Sequence, residues 1–81
     1  MKIEVQMFAR AKDLAGGQTV ELSLPEGATV GDLRAALAAS VPALGQVLPH
    51  CVFALDMEYA ADAAPLRGDA QVACIPPVSG G

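Results

Sequence analysis

The sequence predicts an α+β domain, a mixed sheet of four to five strands with one main helix packed on one face. Residues 2–10 and 18–24 alternate apolar and polar side chains with a period of two, the mark of half-buried strands. Residues 30–40 switch to a helical period and form the only long helix. Short apolar runs bounded by turn residues then follow, at 51–55, 58–60 and 70–75. A hairpin, a helix and further strands bury their apolar faces most simply as a sheet with the helix across one side.

In the first strand Ile3, Val5, Met7 and Ala9 point one way, and Lys2, Glu4, Gln6, Phe8 and Arg10 the other. Phe8 is the anomaly, an aromatic on the polar side. Residues 11–17 end in Gly16-Gly17 and read as a connection containing a helical or loop turn. The second strand turns Val20, Leu22 and Leu24 inward, making a hairpin with a long loop. Pro25-Glu26-Gly27 ends it. Thr29 is placed to cap a helix, and Asp32, three residues on, approximates a capping box. Val30, Leu33, Ala36 and Leu37 form its apolar stripe, and Pro42 stops it near Ser40. Leu44, Val47 and Leu48 suit a short helical turn. Residues 51–55 suit an inner strand, 58–60 a short strand or irregular segment, and 65–69 an anchored turn. In the last strand Val72 and Cys74 face one way, and Gln71, Ala73 and Ile75 the other. This order is the β-grasp, or ubiquitin-like, arrangement, with first and last strands parallel at the centre. Phe8 and Ile75 then meet on the helix-free face, where neighbouring exposed apolar residues make a candidate partner interface.

Eighty-one residues make one domain, and a 53% hydrophobic content favours a folded chain over a disordered one. The expected core is aliphatic: Ile3, Val5, Val20, Leu22, Leu24, Leu33, Leu37, Val52, Leu55, Leu66 and Val72. The net charge of −4 disfavours nucleic acid, which demands clustered Lys and Arg. Cys51, Cys74 and His50 lack metal-ligand spacing, and the two cysteines read as small buried hydrophobes. The aspartates show no paired spacing for acid–base work. Arg10, Lys12 and Arg67 read as scattered surface charge. The start MKIEVQMFAR has no apolar signal region, and no run has membrane-spanning length, so a cytoplasmic location is expected. The body is expected to bind no cofactor or metal and to catalyse nothing alone.

The remaining chemistry lies at the end, which divides the chain into a body at 1–75 and a flexible diglycine tail at 76–81. Pro76 and Pro77 have fixed φ and favour an extended stem. Val78 can fill a small apolar pocket. Ser79 and Gly80 continue the stem, and a glycine passes where a side chain would not. Gly81 ends in a carboxyl group on an unhindered carbon.

These residues resemble a known family. Phe8-Ala9, Leu14-Ala15-Gly16, the run from Leu24-Pro25-Glu26-Gly27 to Asp32-Leu33, Pro65-Leu66 before Gly68-Asp69, and the ending Ile75-Pro76-Pro77-Val78-Ser79-Gly80-Gly81 are together similar to the small sulfur-carrier subunits of molybdopterin synthase. The resemblance covers essentially the whole chain. One departure is Asp56-Met57, where many relatives have an Asn-Gly type of turn. The resemblance implies that a ubiquitin-activating-like adenylyltransferase uses ATP and Mg²⁺ to adenylate Gly81. A persulfide sulfur donor then yields a thiocarboxylate. Residues 76–80 thread the tail into the large catalytic subunit, in a heterotetramer, where sulfur passes to a cyclic pyranopterin monophosphate. Three other readings stay open: a sulfur carrier for thiamine's thiazole or an amino-acid pathway, a ubiquitin-like modifier of lysines, and a plain binding module.

Overall fold

Residues 1–77 are described by a computed structural model. The elements are β1 (Lys2–Met7), α1 (Ala9–Ala15), β2 (Thr19–Ser23), α2 (Val30–Ser40), β3 (Val52–Leu55), β4 (Glu58–Ala60) and β5 (Val72–Ile75). Two single 3-10 turns, Pro42–Leu44 and Leu48–His50, link α2 to β3. The five strands form one sheet in the order β2-β1-β5-β3-β4. β1 and β5 are parallel, with Val5 opposite Val72 and Met7 opposite Cys74; the other pairs are antiparallel. This is the β-grasp arrangement read from the sequence, with β5 at its centre.

Period-two alternation sets the faces. Ile3, Val5 and Met7 are buried between Lys2, Glu4 and Gln6, which are exposed. Val72 and Cys74 are likewise buried. They meet Val30, Leu33 and Leu37 of α2 in one core cluster. The α2 cap is a complete capping box: the Thr29 side chain accepts from the Asp32 N–H at 3.3 Å, and the Thr29 N–H donates to Asp32 Oδ2 at 2.9 Å. The helix ends at Ser40, where Pro42 stops it.

Four expectations need correction. The first strand ends at Met7 and does not reach residue 10. The Phe8 carbonyl accepts from the N–H groups of Ala11 and Lys12, which starts α1. Ala9 is therefore exposed, at φ 51°, and Ala11 takes the buried position. α1 closes at Gly16, whose φ of 75° suits a residue without a Cβ. Val52 is 48% exposed, because β3 turns it to the helix-free face opposite Ile75. Val20 and Leu55 lie at the margin of the core. Nor is the core wholly aliphatic: Phe53 is its largest fully buried side chain.

Phe53 explains Arg34, which lies on α2 with its guanidinium carbon 4.9 Å from the ring centroid. Arg34 donates to the carbonyls of Leu48 and Cys51 and pairs with Asp62 at 2.8 Å. One charged side chain thus ties α2 to both the entrance of β3 and the 61–64 loop. That loop also covers the start of α2: Val30 N–H donates to Ala64 O and Gly31 N–H to Asp62 O.

Candidate functional site: the helix-free face beside the chain exit

Phe8 sits one residue beyond β1 in an extended conformation, and its N–H donates to the Cys74 carbonyl at 3.3 Å. That bond prolongs the parallel β1–β5 ladder by one step. It fixes the Phe8 ring beside Ile75 on the face that α2 does not cover. Phe8 is 44% exposed, and Ile75 is half-buried. Both line a groove of about 520 Å³.

The pleat builds the rest of this groove. Ala54 pairs with Ala73 on one side and Tyr59 on the other. Small side chains at 54 and 73 leave a low floor. Tyr59 and Met57 stand above it, 80% and 91% exposed, and Gln6 and Gln71 supply the polar lining. Sequence reading found Phe8 and Ile75 from strand parity and missed Met57 and Tyr59. Tyr59 follows a two-residue turn on an edge strand, and an aromatic on that strand's outer face was the available signal. Large apolar residues gathered on one exposed face are the usual mark of a docking surface.

Charge borders the groove without entering it. Arg67 pairs with Asp56 at 2.7 Å and lies 3.8 Å from Asp69. Asp56 also accepts from the Gln71 N–H at 2.9 Å. Lys12 shares a neighbouring recess with Phe8 and Gln18. His50 is exposed at the end of its 3-10 turn. Among the described residues, no group of three or more His, Cys, Asp or Glu side chains is arranged to hold a metal ion.

Cys51 and Cys74 are buried and free; Cys51 lies just before β3 and donates its thiol to the Val47 carbonyl at 3.3 Å, and Cys74 lies in β5. Burial pushes the Cys74 thiol up to about 12; the adjacent Cys51 adds to this and Arg34 opposes it. Cys51 is raised by the same burial. A thiol held protonated is a poor nucleophile, so the pair acts as core packing.

The chain leaves the sheet at Ile75. Pro76 is buried and Pro77 exposed. Val78, Ser79, Gly80 and Gly81, to which the sequence assigns the chemistry, lie outside the described residues. No helix among the described residues is long and apolar enough to cross a membrane.

Comparison with known proteins agrees with this geometry. A protein named as a molybdopterin synthase sulfur carrier subunit from Chlamydomonas reinhardtii is 42% identical over the full length of both chains. The small archaeal modifier protein 1 of Haloferax volcanii is 33% identical, covering 98% of this chain and all of its own. The crystal structure of SAMP1 from Haloferax volcanii superposes with a TM-score of 0.88 at 32% identity and full coverage of both chains. The ThiS family profile matches residues 5–81, and the chain belongs to that family.

Proposed function

We propose that this chain is the small subunit of a molybdopterin synthase and carries sulfur on Gly81 as a thiocarboxylate. The observation that supports it most is the 42% identity, end to end, with a relative named as a sulfur carrier subunit of that synthase. A carboxylate resists attack, so it must first be activated. An adenylyltransferase joins the Gly81 carboxylate to AMP from Mg²⁺-bound ATP, with pyrophosphate leaving. The outer sulfur of a donor persulfide then displaces AMP to give an acyl disulfide, and a second thiol attacks the donor's sulfur, forming a disulfide with it and releasing the Gly81 thiocarboxylate. The resulting thiocarboxylate is a polarisable anion and a good nucleophile. In the large subunit its sulfur bonds to a pyranopterin carbon, and water then cleaves the acyl–sulfur bond, so that the sulfur stays on the pyranopterin and Gly81 returns as a carboxylate.

The body contributes placement. Pro76, Pro77, Val78, Ser79 and Gly80 carry Gly81 into a channel. The proline stem has little freedom to lose on docking, which lowers the ordering cost. Phe8 and Ile75 hold the large subunit against the face from which the stem leaves.

The test is the intact mass of the chain after co-expression with an activating enzyme. One oxygen replaced by sulfur at the C-terminal residue is expected; an unchanged mass overturns the proposal. A second reading, a protein modifier, is favoured by the likeness to small archaeal modifier protein 1. It predicts covalent adducts through lysines of other proteins in the same experiment.

A further inference from the structure

The β3–β4 turn has a backbone that its sequence does not favour. Asp56 and Met57 occupy φ of 49° and 71°, and they join Leu55 to Glu58, which face each other across the hairpin. Two consecutive left-handed residues make the turn type that usually takes Asn-Gly or Asp-Gly. Asp56 has a reason to be there. Its N–H donates to Gln71 O at 2.8 Å, and its carboxylate accepts from Gln71 N–H and from Arg67. Among the described residues Met57 has no such anchor: its side chain is 91% exposed and stands in a conformation that L side chains rarely adopt. A bulky residue held in this way, with nothing inside the body to hold it, points to a role outside.

That role is legible from where the side chain stands. Met57 lines the same groove as Phe8 and Ile75. Residues 78–81 follow Pro77 and span at most about 14 Å when fully extended. A protein that grips Gly81 must therefore lie close against the end of the sheet bearing Ile75, and a partner seated along the groove reaches Met57 at its other end. An unbranched thioether is suited to such contact, because it adapts its shape to the surface it meets.

We propose that Met57 is a partner-contact residue, kept in a strained turn because its side chain closes the far end of the groove against the large subunit of the synthase. This rests on the function proposed above. The strain and the contact make opposite demands, so one substitution separates them. Met57→Gly removes both strain and side chain. It is expected to raise the thermal midpoint of the free chain by about 4 °C. It is also expected to weaken titrated binding to the large subunit about fivefold. A Gly variant that is stabilised yet binds as tightly as the unaltered chain overturns the inference, and so does one that gains no stability. An unaltered chain that fails to bind the large subunit overturns the functional reading itself, and the inference with it.

Discussion

Cys74 shows how burial decides what a reactive group does. It sits two residues before the proline stem of a chain read here as a carrier of sulfur, and its thiol is nonetheless fully buried. Its proton is held up to about 12, against an ordinary 9.0. In the folded state it therefore keeps a proton that the unfolded chain releases earlier. The stability it contributes is complete below about pH 9 and is lost as pH rises from there towards 12. Urea midpoints should fall across that window, and replacing Cys74 by Ala should flatten the fall. An unchanged slope in the variant would refute the assignment. Phe53 teaches a related lesson. Read from sequence, the apolar run at 51–55 puts Val52 and Leu55 in the core and leaves Phe53 out of it. The β3 register corrects that, turning Phe53 in and Val52 out.

At the scale of elements, α2 is the piece whose chemistry is local. Its start is written in Thr29 and Asp32 and its end in Pro42, so its bounds were legible from sequence. Thr29→Ala removes the side-chain acceptor for the Asp32 N–H and is expected to cost about 1 kcal/mol, read as a lower urea midpoint with unchanged slope. A loss of nothing would mean that the 61–64 loop, which already meets the Val30 and Gly31 N–H groups, holds the helix start by itself. α1 was less legible. Seven residues carry a weak periodic signal, and Phe8 and Ala9 continue the β1 alternation on paper. What ends the strand is the turn at Ala9, after which the Ala11 and Lys12 N–H groups fold back onto the Phe8 carbonyl. The groove divides in the same manner. Phe8 and Ile75 followed from parity on two adjacent strands. Met57 and Tyr59 needed the β3–β4 hairpin, whose turn lacks the usual glycine.

At the scale of the whole molecule, the body and the tail are separate in their demands. One alanine added after Gly81 puts a Cβ and a peptide bond where the reacting carboxylate should be. It should abolish sulfur charging, read by intact mass, while leaving the thermal midpoint of the body unchanged. Normal charging of the extended chain would refute the threading argument. The body's contribution is more than a handle. β5, from which the tail departs, lies between β1 and β3 and is bonded to both. A load applied at Pro77 passes into β5. It meets two rows of backbone bonds loaded sideways together, where a strand at the sheet's border would offer one. The protein is built like a rivet through the middle of a plate: what pulls on the rivet is resisted by the plate on both sides of it.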